Sequence, residues 1–351
     1  MRSLALGAAI LCGAACIPFE PYWWIQDPRV LGLRMTVVEP GGYSTLLHVP
    51  PGQQRATPLP LDTVELERFV ATPEGVAVEP PIWLACDSPS CFDRFYAEGY
   101  YLADCPQPLP FYLPWACRLG EGERVRVGFG GAYTLPLAMD SGRDTVLTIM
   151  AIGSRSPDVS SETCLERYAG TPHEGLQDCL IARDVFVPGP LWAVLPFAPE
   201  LAMLPPEFLE QAPDTHPDIT GFRVSRELGT TRIEALAMPG DTVEMAPGEK
   251  VTVLPLFLAG REQSFIVLID PDADGPIPPE AQEQAEFVEI DAQITALVDQ
   301  FEKPDQSLSL YNFNAEISWV VPDHPEPATL YVQARDSRAG RGFAVLHFDP
   351  S

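Results

Sequence analysis

Lysine is nearly missing from this chain of 351 residues. Lys250 and Lys303 are the only two, so arginine carries nearly all of the positive charge. Against 22 basic residues stand 49 acidic ones, a net charge of −27. Such a field repels phosphate backbones and anionic head groups. It argues against a nucleic-acid partner and favours divalent cations or basic partners, although acidity also serves plain solubility. Local signatures of catalysis are missing as well. The five histidines, His48, His173, His216, His324 and His347, show no H-E-x-x-H spacing, and no G-x-S-x-G elbow occurs. "GFGGAY" at 128–133 lacks the Lys-Ser/Thr of a P-loop and reads as a bulge or hairpin turn. No C-x-x-C pair offers a zinc site. These absences point away from an enzyme. The remaining catalytic route is a triad assembled from distant residues, because triads are defined by geometry and not by order. Folding material is plentiful: 46% hydrophobic and 20% charged residues suit a globular protein of ~2 domains.

The stretch "LALGAAILCGAACIPFEPYWW" at 4–24 has a tripartite layout. Arg2 gives a positive charge, Leu4 to Leu11 form a short apolar run, and the small residues Gly13, Ala14 and Ala15 precede Cys16. The run is far below the ~20 residues of a membrane-crossing helix, and Pro18 and Pro21 stop a helix from continuing. The stretch resembles the lipoprotein signal peptides of bacteria, whose cysteine is diacylated and becomes the first residue. That resemblance implies a signal peptide at 1–15, a lipid on Cys16, a tether over 16–28 and an outer-membrane lipoprotein facing the periplasm or the cell surface. Gly13 stands where leucine is usual, so ordinary cleavage with secretion and a retained helix are the alternatives. "PYWW" after the anchor suits a membrane interface, or packs on the first module.

Removing Cys12 with the signal and committing Cys16 to lipid leaves six cysteines: Cys86, Cys91, Cys105, Cys117, Cys164 and Cys179. An even remainder in an oxidising compartment predicts three disulfides. Cys164 is expected to pair with Cys179, because these two stand apart from the other four.

Apolar residues recur mostly with period two. "VLGLRMTVV" at 30–38 puts Leu31, Leu33, Met35 and Val37 on one face. "DTVELERF" at 62–69 alternates Val64 and Leu66 with Glu65 and Glu67 until Phe69 breaks the pattern, as a bulge would. "PIWLAC", "RVRVGF" and "TVLTIMAI" are further strands. Within 154–187, "SSETCLERYAG" predicts one short helix and "CLIARDVFV" is extended. Prolines crowd 188–218 as a semi-rigid connector, with a helical turn at "PPEFLEQ". A second β region follows over 219–351, ending in a hairpin at "SRAGRG", where Gly340 and Gly342 can supply positive φ. The expected fold is all-β: two immunoglobulin-like β-sandwich domains in tandem, at 29–187 and 219–351, the first with a disulfide-bonded helical insertion.

The entry "DTVEL", the strand around Trp83 and the closing "TLYVQARDSRAGRGFAVLHF" resemble bacterial immunoglobulin-like modules of the PKD or cadherin-like kind. The whole layout resembles the surface lipoproteins numerous in myxobacteria. The likeness spans 29–153 and 219–351 and lacks the intersheet cysteine pair of antibody domains. It implies a binding, adhesion or spacer role toward a protein or glycan, although fold alone does not establish function. The alternative is an exported hydrolase whose site lies in the loops of the cysteine-rich region.

One acidic motif carries metal chemistry. In "DPDADG" at 270–275, Asp270, Asp272 and Asp274 have the spacing of a calcium loop, with Gly275 at its turn. Ala281 stands where the bidentate Glu belongs, so a solvated acidic turn is the alternative to a Ca2+ site.

Overall fold

The computed structural model describes residues 21–73, 75–87, 91–92, 102–110, 113, 115–131, 147–170, 175–190, 212–258, 264–269, 280–285, 287–302, 304–308, 315–338 and 340–351. Its N-terminal half contains strands β1 (Arg29–Glu39), β2 (Thr63–Ala71), β3 (Ile82–Cys86), β4 (Cys117–Glu121), β5 (Arg124–Gly128), β6 (Leu147–Ser154) and β7 (Cys179–Phe186), with a helix, Ser161–Ala169, between the last two. The C-terminal half contains β8 (Ile219–Leu228), β9 (Thr231–Ala237), β10 (Thr242–Met245), β11 (Lys250–Phe257), β12 (Ser264–Ile269), β13 (Glu280–Ala285), β14 (Val288–Ile294), β15 (Asp299–Glu302), β16 (Asp305–Leu308), β17 (Ile317–Val320), β18 (Ala328–Asp336) and β19 (Arg341–Pro350). The protein is all-β, as its period-two patterning predicts. Among the described residues no helix is long and apolar enough to cross a membrane.

In the N-terminal half the sheet β1-β2-β5 faces the sheet β4-β3-β6-β7. Alternate residues point the same way along a strand, so Leu33, Met35, Val64, Leu66 and Val127 meet Trp83, Ala85, Ile149, Ala151 and Phe186 in one core. Every residue of β3 and β6 is buried. The outer face of these strands is covered by the helix, whose Cys164 and Leu165 pack on Ile82, Leu84, Met150 and Ile152. Ser160 caps the helix by accepting the Thr163 N–H at 3.1 Å. The disulfides are Cys86–Cys91, Cys105–Cys117 and Cys164–Cys179. The last ties the helix to the first residue of β7.

In the C-terminal half the sheet β10-β19-β18-β14-β16 faces β15-β17-β11-β8-β9, with the hairpin β12-β13 as a separate pair. Phe222, Val251, Val253, Ile317 and Trp319 pack against Ile290, Leu330, Val332, Leu346 and Phe348. With β11 and β17 in one sheet, β14, β18 and β19 in the other and β10 parallel to β19, the half is a β-sandwich-like arrangement of two facing sheets.

Two local expectations are corrected. The bulge near Phe69 lies on the partner strand: Val30 pairs with Val70 and Gly32 with Phe69, so Leu31 is the extra residue. Leu31 therefore leaves the Leu33–Met35 face and joins an outer cluster with Ile25, Ala71 and Tyr331. Gly340 and Gly342 do not take up a positive φ. They permit close approach instead, because a Cβ on Gly342 falls 2.1 Å from the Pro217 carbonyl oxygen and one on Gly340 falls 2.9 Å from that of Thr215.

The two halves interlock along a seam. Residues 213–217 of the proline-rich connector are buried, and Thr215 forms a β-bridge with Arg55. Ahead of β1, Trp23 and Trp24 pack on the C-terminal half, while Ile25 also packs on Ala71 and Phe69 of the N-terminal half. Trp23 lies against Phe301 at 4.7 Å between ring centroids, Trp24 bridges Ile294, and the Ile25 N–H donates to the Ile294 carbonyl at 2.9 Å. Phe69 stacks on Phe343 at 4.3 Å, and the Tyr331 hydroxyl donates to the Thr72 carbonyl at 3.0 Å. The expected helical turn at 205–211 lies outside the described residues.

Candidate functional site

The outer face of β14, β16, β18 and β19 meets β1 and β7 across the seam, leaving a cleft of about 810 Å³. That volume lies within the ~300–1,000 Å³ typical of small-ligand pockets. Its aliphatic part comes from Val30, Leu31 and Ile181, and its polar part from Asp184, Glu289, Asp291, Asp305, Gln333 and Arg341. Alternation places the polar groups. Along β14, Val288, Ile290 and Ala292 enter the core, which turns Glu289 and Asp291 outward; along β18, Leu330, Val332 and Ala334 do the same for Gln333 and Arg335.

Strand register sets these residues in rows. Asp305 pairs with Asp291 and Asp291 with Gln333, giving a row across three strands. In the neighbouring row Glu289 pairs with Arg335, and Arg335 with Arg341. Two ion pairs neutralise much of the wall: Arg335 with Glu289 and Arg341 with Asp184. Among the described residues the Asp291–Asp305 carboxyl pair forms no ion pair, although Arg29 lies near enough to pull the Asp291 carboxyl down. Burial first, and then Asp305 beside it, push the Asp291 carboxyl up to about 6, while the Gln293 amide donating at 3.1 Å pulls it down. The Tyr22 hydroxyl donates to Asp305, and burial followed by that contact pushes the phenol up to about 12. Two polar atoms of the walls, Asp291 Oδ1 and Arg341 Nε, are buried without a hydrogen-bond partner among the described residues.

No family model and no curated protein matches this chain.

Next to the cleft, His216 fastens three elements. Its Nδ1 accepts the Arg341 backbone N–H at 3.0 Å, which leaves the proton on Nε2, 3.0 Å from Thr36 Oγ1. Burial, with Arg34 and Arg341 nearby, holds the imidazole well below its ordinary value, so it is neutral. The Arg34–Asp218 ion pair at 2.8 Å and the Arg341–Asp184 pair lie on either side of it in the seam. The cleft and the lock between the halves thus share Arg341.

None of the described residues that the sequence singles out as candidate site residues falls in this cleft. Cys86, Cys91, Cys105, Cys117, Cys164 and Cys179 are joined in disulfides of the N-terminal half. Cys16 and the Asp270, Asp272, Asp274 loop lie outside the described residues, as do 93–101 and 132–146 of the cysteine-rich region, where a hydrolase site was the alternative. Among the described residues no cluster of three or more His, Cys, Asp and Glu can hold a metal ion. The available signal for the cleft was the polar face of "VEIDAQI" and "LYVQARD". Alternation alone cannot distinguish such a face from one in open solvent.

Proposed function

We propose that this chain is a lipid-anchored cell-envelope protein with a binding role, and that the seam cleft is where its ligand sits. The carrying observation is the cleft itself. Polar side chains of opposite character line one wall beside an aliphatic patch, and the interlocked halves hold both walls in register. A preformed site of this kind keeps the cost of binding low, because few groups have to be ordered when the ligand arrives. A spacer role is compatible with the same seam, since a chain locked at its middle holds one length.

Two measurements test the proposal. Fractionation of cells expressing the full chain is expected to find it with membranes and to find Cys16→Ser in the soluble fraction; unchanged membrane association would sink the anchor. Thermal melting of the full chain against disaccharides, short basic peptides and CaCl2 is expected to identify at least one stabilising compound. Its effect should disappear in the Asp305→Asn/Gln333→Met double variant. If no compound acts through those residues, the cleft is not the binding site.

A further inference from the structure

Gln333 is the unusual residue of the cleft. It is only 8% exposed, and it lines the cleft beside Gly32. A Cβ on Gly32 would come within 2.9 Å of its Nε2, so the glycine leaves room for the amide. Among the described residues this amide has no hydrogen-bond partner, and its polar atoms are not among the fully buried ones, so they open onto the cleft. With neither its donors nor its acceptor used inside the fold, the amide is free to bond a ligand there. The neighbouring Asp291 Oδ1 and Arg341 Nε, which are fully buried, also lack a partner among the described residues.

The character of these groups selects the ligand class. Asp184 and Glu289 are already paired with arginines, which removes most of the attraction for a cation. What is left wants both donors and acceptors at closely spaced positions. Hydroxyl groups supply both from one atom. The row Asp305, Asp291, Gln333 crosses two strand spacings, about 10 Å, room for two linked pyranose rings with their apolar C–H faces toward Val30 and Leu31 across the cleft.

Resting on the binding role above, we infer that the Asp305–Asp291–Gln333 row is a subsite for a neutral saccharide, held by hydroxyl hydrogen bonds to the carboxyls and the amide. Asp291 and Asp305 stand directly opposite each other on neighbouring strands of one wall. Glycoside hydrolysis needs its two carboxyls on either side of the scissile bond, so the assignment is one of binding without cleavage.

The test is calorimetric titration of the full chain with cellobiose, maltose, lactose and N,N′-diacetylchitobiose, with agmatine as the cationic probe. At least one disaccharide is expected to bind. Gln333→Met, which keeps side-chain length and apolar packing, is expected to weaken it about ten-fold or more. Its melting curve should match the wild type, and Asp305→Asn should weaken binding independently. Equal binding by Gln333→Met, or release of reducing sugar during incubation, would overturn the assignment. Agmatine binding that depends on Asp305, with no disaccharide binding, would overturn the saccharide while leaving a binding role intact. Silence from every probe would overturn the saccharide assignment.

Discussion

His216 shows how much one side chain can decide. A histidine in a proline-rich stretch looks like a surface residue, yet here it is 3% exposed and joins the connector to β1 and β19. Its protonation is linked to stability. In the unfolded chain the imidazole titrates near its ordinary value of about 6.5, whereas in the fold its value is held well below that. Between the two, the unfolded chain binds a proton that the folded chain does not, so stability rises with pH across that window and is lost as pH falls through it. Asp291 contributes the opposite slope: its raised value means that the fold binds the extra proton between the ordinary carboxylate range and about 6. The clean readout is therefore a difference. Urea unfolding of wild type and of His216→Gln, from about pH 7 to about pH 5, is expected to show a wild-type advantage that shrinks with acid. A constant difference would mean that the imidazole does not titrate against folding. Arg68 is a second residue with an unexpected place. It stands on the inner face of β2, 4% exposed, with its Nη2 donating to the Glu79 carbonyl at 2.7 Å. The alternation of "VELER" therefore continues inward through a charged residue, and Phe69 is free to face the seam.

At the scale of elements, the strands near the seam are used on both faces. In β19, Ala344, Leu346 and Phe348 enter the core, and Phe343 and Val345 face the N-terminal half. In β1, Leu33 and Met35 enter their core while Arg34 and Thr36 reach the connector. Period-two patterning revealed the inward faces, because burying them is what makes the alternation. It could not reveal the seam, since Tyr331, Gln333 and Arg335 look the same whether they meet water or another sheet. The short strands β9, β10, β15 and β16 escaped for a related reason: they are edge or near-edge segments, and β9 is exposed along nearly its whole length. Turn chemistry was misjudged at one point. The glycine of "AGRG" at 342 is demanded by the Pro217 backbone and not by a left-handed turn. Gly342→Ala is accordingly expected to cost about 1–3 kcal/mol in urea unfolding, the usual range for overpacking against atoms that cannot move aside. An unchanged midpoint would show that the connector does not press on β19.

For the whole molecule, composition and spacing supported the all-β class, the helix at 161–169 and the pairing of Cys164 with Cys179, each a local or composition-driven property. How the halves meet depends on contacts between residues more than a hundred positions apart, such as Thr36 with His216 and Asp184 with Arg341, and no periodicity encodes them. The candidate site inherits that difficulty, since it exists only where the halves meet. That seam is the structural centre of the protein. If it holds, the halves cannot unfold independently, because separating them strips the buried connector, opens the Phe69–Phe343 stack and uncovers Ile25. Scanning calorimetry of the full chain measures this directly. The expected result is one reversible transition whose calorimetric and van't Hoff enthalpies agree. Two resolved transitions, or a van't Hoff enthalpy about half the calorimetric one, would contradict it and make the cleft an accident of two loosely joined modules.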